Sequence, residues 1–174
     1  MAMAPVAASL ALGRLQLGLP IALAILVADQ VSKWWMLAGL NLPEVRNIPL
    51  FSAGALGLDL TMVWNRGVTF GLLWGDSFAV QLVLAFAAAG IALFLLRWMA
   101  RAESAWVAAA LGSVVGGAIG NVIDRLRFGA VVDFVDVHLA GWHWYVFNLA
   151  DAGIVCGVGV LVADALFRRE PKAK

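Results

Sequence analysis

Charge is scarce in this chain. Charged residues are only 13% of its 174 residues, while hydrophobic ones are 63%. A soluble domain carries about 25% charged and about 45–50% apolar residues. So few charges cannot cover a water-facing surface, which excludes an ordinary soluble globular domain and makes the bilayer the expected solvent. The net charge of +1 gives no footprint for a nucleic acid, so none is expected as a partner. Cysteine is limited to Cys156, which rules out an internal disulfide. It lies in an apolar run and reads as a buried, inert thiol. Histidine is limited to His138 and His143, too few for a metal cage and in no zinc-type spacing such as H-E-x-x-H. No metal and no cofactor are expected.

What the chain does have is long apolar segments. They define four spans at about 15–40, 77–96, 105–124 and 148–167, each close to the roughly 20 residues that cross a bilayer. Residues 77–96 and 105–123 hold no charge at all. The first span resembles a signal peptide in its Arg14 and its apolar run 17–28, but the sequence then continues Asp29-Gln30-Val31-Ser32-Lys33 and not into a small-residue cleavage site. It is therefore expected to be retained. The expected fold is a single membrane-embedded domain, mainly α, with four transmembrane helices and a small extracytoplasmic β-sheet between spans one and two.

Basic residues set the orientation. The short loop with Arg97 and Arg101 and the tail with Arg168, Arg169, Lys172 and Lys174 put both termini in the cytoplasm. Segments 41–76 and 125–147 then lie outside. Within the first, residues 58–65 alternate in part and are rich in strand formers, and Asn65-Arg66-Gly67 reads as a turn. The second contains another strand-like run, 130–137, followed by Trp142, Trp144, Tyr145 and Phe147. Those aromatics read as an interfacial belt. Gly112, Gly116 and Gly120 share one face of span three, and Gly153 and Gly157 one face of span four. Such glycines permit close helix packing and suggest that spans three and four sit together.

Ionisable groups inside membrane segments are costly and tend to be functional. From Arg168 back to Asp151, and from Ser104 to Asp124, the helical rise of 1.5 Å per residue gives about 25 and about 30 Å. Asn121, Asp124, Arg125, Asn148 and Asp151 therefore reach the same outer interface, with Asp133 and Asp136 in the connection between. No serine or cysteine there adjoins a histidine in a triad-like order. Two carboxylates sharing a site do not both ionise readily, so one can activate water while the other hydrogen-bonds a scissile carbonyl. This is aspartic-protease chemistry. The residue pattern alone leaves the pair open among Asp124, Asp133, Asp136 and Asp151, and a satisfied interfacial carboxylate is the plain alternative for each.

Five motifs occur in order: Asp29-Gln30-x-x-Lys33, Asn65-Arg66-Gly67-Val68-Thr69-Phe70, Gly120-Asn121-x-x-Asp124-Arg125, Val131-Val132-Asp133-Phe134 and Phe147-Asn148-x-Ala150-Asp151. Together they resemble the lipoprotein signal peptidase (signal peptidase II) family, over most of the chain. Departures are small: many members carry Ala where Val68 stands and often Ser where Ala152 stands. The resemblance implies a bacterial inner-membrane aspartic endopeptidase. Its substrate partner would be a diacylglyceryl-modified prolipoprotein among membrane lipids, cut just before the lipidated cysteine. It implies Asp133 and Asp151 as the catalytic pair, with Asn65, Asn121, Arg125 and Asn148 lining or bracing the site. Asp124 becomes structural, holding Arg125, and Asp136 falls outside the motif as incidental. Asp29 and Lys33, four apart on one helical face, are expected to form an ion pair.

Two rival readings remain at this level. An ion-coupled transporter would place its polar groups near the bilayer midplane, in related halves, and neither feature is present. A non-catalytic assembly subunit would need the glycine faces but not several acids and amides at one depth.

Overall fold

A computed structural model describes residues 3–67 and 78–167. Val68-Thr69-Phe70, the first residue of the expected second span and the basic tail lie outside the described residues.

The chain runs through α1 (Met3–Trp34), α2 (Leu42–Val45), β1 (Asn47–Ala53), β2 (Leu56–Asn65), α3 (Phe78–Ala100), α4 (Ala105–Phe128), β3 (Val131–Leu139), β4 (Trp142–His143) and α5 (Leu149–Phe167). Among the described residues, four stretches are long and apolar enough to cross a membrane: Gly13–Gly39, Phe78–Ala100, Ala105–Phe128 and Leu149–Phe167. They match the four expected spans. Their outer surfaces are apolar, with Phe86 72% and Val155 70% exposed. In water that would be an aggregating surface; in lipid it is the solvated one.

Helix α4 is the centre of the bundle and packs against α1, α3 and α5. Its start is fixed by Ser104, whose hydroxyl accepts from Val107 N, and its end by Gly129 in a left-handed conformation. Val107, Ala108, Leu111, Val114 and Val115 form a core with Ala22 of α1 and Leu95 and Met99 of α3. The glycines of α4 face two ways. Gly112 and Gly116 lie against the backbone of Gly18 and Ala22 in α1, while Gly117 lies against Ala150 of α5. Gly153 and Gly157 of α5 meet Ser113 and Ala110 of α4 in return. The stripe 112/116/120 thus joins spans three and one, and α5 docks through the other set. Small residues permit approach on whichever face they occupy, without naming the partner. Cys156, expected to be buried, is exposed on α5, on a surface that faces lipid.

At one end of the bundle Arg14 donates to the backbone oxygen of Glu103, 3.0 Å away, which places the lower part of α1 beside the α3–α4 turn. At the other end α1 finishes in a π turn, Trp35–Gly39. There the sheet has four antiparallel strands in the order β1-β2-β3-β4. It is broader than the expected sheet between spans one and two, because β3 and β4 come from the connection between spans three and four. Strand pairing across some seventy residues is invisible to local periodicity. Leu42, Leu60, Val132 and Phe134 anchor the sheet to the bundle. Trp142, Trp144 and Tyr145 are exposed, in edge-on ring contact with one another.

Candidate active site

Asp133 lies near the start of β3 and is 1% exposed. Its neighbour across the sheet is set by a bulge in β2. Asp59 pairs with Asp136 and Leu60 with Val135, but Val63 then pairs with Asp133 and Asn65 with Val131. One extra β2 residue is inserted. Side chains alternate along a strand, so that insertion moves Asn65 onto the face that carries Asp133. The amide of Asn65 donates to Asp133 Oδ2 at 2.9 Å. Its own oxygen accepts from Gly67 N at 3.1 Å, the turn expected there.

Asp151 arrives by a different route. Its backbone N–H donates to Asn148 Oδ1 at 2.9 Å, and Asn148 N–H donates back to Asp151 Oδ2 at 3.3 Å. This is a reciprocal capping box at the start of α5, with Asn148 as N-cap and Asp151 three residues on. The cap leaves Asp151 Oδ1 for Asn121 of α4, whose amide donates to it at 2.8 Å. The amide of Asn148 donates to Asp133 Oδ1 at 2.6 Å. Asn148 therefore bonds both acids, and three amides surround the pair.

Behind the pair lies a buried ionic network. Lys33 Nζ is 2.8 Å from Asp29 Oδ2 and 2.7 Å from Asp124 Oδ2, with all three side chains at or below 3% exposure. Lys33 also donates to Asn121 Oδ1 at 3.2 Å. Asp29 Oδ1 accepts from Ala150 N at 3.0 Å, so a carboxylate from α1 sits at the positive N-terminus of α5. Asp124 accepts from Val132 N at 3.1 Å and from Gln30 at 3.0 Å. The Asp29–Lys33 pair is as expected. The expectation that Asp124 holds Arg125 is corrected: Asp124 is engaged by Lys33, Gln30 and Val132. The helix turns Arg125 another way, where it donates to Asn121 O at 3.3 Å. Sequence reasoning missed Lys33 as the bridge to Asn121 and Asp124. Its signal was there, as one buried-depth cation in a span with a single acid of its own.

Burial pushes the Asp133 carboxyl up to about 7, and the charge of Asp151 adds to the effect. The amides of Asn65 and Asn148 and the more distant Lys33 pull the other way. Asp136, read as incidental, is 4% exposed and accepts from Thr61 at 2.9 Å. It stands three residues from Asp133, so strand alternation turns it to the opposite face.

The fold and this site define a multi-pass membrane protein with two carboxylates set among amides at one end of its helices. A family model described as Signal peptidase (SPase) II matches residues 21–167. A lipoprotein signal peptidase of Methylobacterium sp. (strain 4-46) is 44% identical over 151 residues, covering 87% of this chain and 89% of that one. The lipoprotein signal peptidase of Nitrobacter hamburgensis is 44% identical over 167 residues, covering 92% and 97%. Among solved structures, one described as a bacterial membrane enzyme determined by the in meso method superposes with a TM-score of 0.70 at 24% identity, covering 90% of this chain and 94% of that one. The chain belongs to the signal peptidase II family, and it is a multi-pass membrane protease by that membership.

Proposed function

We propose that this protein is an aspartic endopeptidase that removes the signal peptide from diacylglyceryl-modified prolipoproteins, cutting just before the lipidated cysteine. The observation that carries the reading is the bridging of Asp133 and Asp151 by Asn148, with Asn65 and Asn121 on their other oxygens. A capping box alone accounts for Asp151 as a structural residue. It does not account for a second, deeply buried acid brought to the same asparagine from the sheet.

The chemistry follows from the asymmetry of the pair. Asp133 is the deeper member and holds the shared proton. Asp151 is partly exposed and takes a proton from a water molecule as the water oxygen bonds to the scissile carbonyl carbon. Asp133 gives its proton to the carbonyl oxygen as charge develops there, leaving a tetrahedral diol. The diol then collapses: one hydroxyl returns its proton to Asp133, the C–N bond breaks, and the departing nitrogen takes the proton from Asp151, so the pair again holds one. The products are a signal peptide with a new carboxylate and a lipoprotein with a free amine. The three amides hold both carboxyls in place throughout.

An apolar groove of about 280 Å³ among α1, α4 and α5 is lined by Ile25, Ala28, Ser113, Leu149, Ala152, Gly153 and Cys156. These α5 positions form a stripe on the side of the helix away from Asp151, so the substrate class rests on the family and not on this groove. The positive-inside bias supports cytoplasmic termini and a site at the outer face. Reporter fusions after residues 55 and 140 should then report the outside.

The deciding experiment is cleavage of a lipidated prolipoprotein by purified enzyme in detergent, with a chelator present. Wild type should cut. Asp133→Asn and Asp151→Asn, near-isosteric but unable to exchange the proton, should each be almost inactive while folded. The double variant should be no worse, because members of one catalytic unit are not additive. Substantial turnover by either single variant removes that residue from the mechanism.

A further inference from the structure

Between Asp133 and Asp151 the chain makes a hairpin whose two limbs end at the two acids. β3 leads away from Asp133, turns at Ala140 and Gly141, both with positive φ, and returns through β4. Leu139 pairs with Trp142 and His138 with His143. The two-residue loop is thus of the kind that needs left-handed residues. The return limb is poorly laddered, since β4 is only two residues long. Beyond it the limb is tied by Trp144 N to Val137 O at 2.8 Å and by an exchange of bonds between Phe147 and Val135. Asn148 follows at once.

A side-chain tie crosses this hairpin. His143 Nδ1 lies 2.9 and 3.1 Å from the two oxygens of Asp136. Asp136 is almost fully buried, and buried carboxylates require partners. Its partners come from both sides: Thr61 of β2 and His143 of β4. Thr61 is held in turn by Asn47 of β1 at 2.8 Å. The His138 ring stands 4.8 Å from that of His143 and its Nε2 is 3.6 Å from Asp59. This is a polar strip across all four strands. It is not a cation site, because among the described residues no three His, Cys, Asp or Glu side chains are arranged to hold a metal ion.

We infer that the Asp136–His143 pair positions the catalytic acids. It pins the return limb against β3 and so fixes where Asn148, and with it Asp151, meets Asp133. The inference rests on the protease reading above. Asp136 and His143 touch neither acid, so they are positioning residues. The reach of Asn148 to Asp133, at 2.6 Å, is the shortest bond of the site and the one most exposed to a shift of that limb. Loosening the limb should slow the chemical step and leave substrate capture unchanged.

His143 carries the test, since its side chain is 55% exposed and its replacement leaves the core intact. Wild type, His143→Ala, His143→Gln, Asp136→Asn and the His143→Ala/Asp136→Asn double variant are compared in detergent on a lipidated prolipoprotein. Rates are taken per folded enzyme, with Tm recorded. His143→Ala should lose about tenfold in kcat with KM within about twofold, the pattern of lost transition-state stabilisation. His143→Gln, which keeps a donor for Asp136, should recover to within about threefold of wild type, and the double variant should match His143→Ala because the two share one interaction. A merely structural role would lower the folded fraction and leave kcat per folded enzyme alone. That outcome, or failure of glutamine to rescue, overturns the inference while wild-type cleavage keeps the protease reading. A wild type that leaves the substrate uncut overturns both.

Discussion

Asn148 and Asp133 meet at 2.6 Å, although one belongs to the cap of a membrane helix and the other to a strand. The same asparagine exchanges two bonds with Asp151. Asn65 bonds Asp133 and Asn121 bonds Asp151; Asn148 bonds both.

Removing that bridge should therefore separate catalysis from folding. Asn148→Ala deletes the donor to Asp133 and the cap acceptor for Asp151 N. Loss of an N-cap costs about 1 kcal/mol, which a four-helix bundle survives. Loss of the alignment of both acids should cost about 10²-fold or more in kcat, as for other precisely placed donors. Kinetics per folded enzyme check it. Asn148→Ser, which keeps a cap acceptor but has too short a reach to Asp133, should restore Tm and leave kcat low. Recovery of kcat by Ser would show that only the cap matters.

The pH dependence follows from Asp133. Its carboxyl sits at about 7 in the fold against about 3.9 for a free aspartate. The folded state therefore binds this proton more tightly than the unfolded chain. Stability is lost as pH rises from about 4 to about 7, and stays lost above. Asp133→Asn has no proton to lose. Its Tm relative to wild type should climb between pH 4 and pH 8, as read by thermal melts in detergent. A difference that stays flat over this window removes the buried proton. For wild type, kcat/KM should fall above about pH 7, where Asp133 no longer holds a proton for the carbonyl oxygen.

The four spans were legible because lipid demands a run of apolar residues, a signal carried by each segment alone. The candidate acids stood out because a charge near membrane depth is conspicuous, and it was the resemblance of the ordered motifs that put Asp133 and Asp151 forward as the pair proposed here over Asp124 and Asp136. What was not legible depends on pairings between distant segments. The bulge that turns Asn65 toward Asp133 is a register event between β2 and β3. The breadth of the sheet, the α1 partner of the glycine stripe and the engagement of Asp124 by Lys33 are likewise long-range. Arg125 follows Asp124 in sequence, but successive helix residues point about 100° apart, so adjacency did not make them partners.

Lys33 should be a stability residue first. It compensates Asp29 and Asp124, both fully buried. Lys33→Met fits the volume and leaves two acids without their cation. Breaking a buried pair by removing one partner costs about 3–5 kcal/mol. Thermal melts should show a marked loss at neutral pH. The loss should shrink in the triple variant Asp29→Asn/Lys33→Met/Asp124→Asn, which removes the stranded charges as well. Equal destabilisation of both variants would mean that packing, and not charge, is what Lys33 supplies.

The glycines offer a prediction with its own control. A Cβ at Gly116 of α4 would run into the backbone oxygen of Ala22 in α1, an atom that cannot swing aside. Gly159 of α5 has nothing within 4 Å of the same added carbon. Both are helix interiors, where alanine is intrinsically favoured over glycine by about 1 kcal/mol. Propensity alone thus predicts that both substitutions stabilise. Packing predicts opposite signs, because membrane helices associate through close backbone approach and not through hydrophobic exclusion. Gly159→Ala should hold or raise Tm in detergent, while Gly116→Ala should lower it as α1 is pushed off α4. Since α1 carries Asp29 and Lys33, whose bonds reach Ala150, Asn121 and Asp124, Gly116→Ala should also lower cleavage per folded enzyme. A Gly116→Ala enzyme as stable and active as wild type would show that α1 does not need that close approach to support the site.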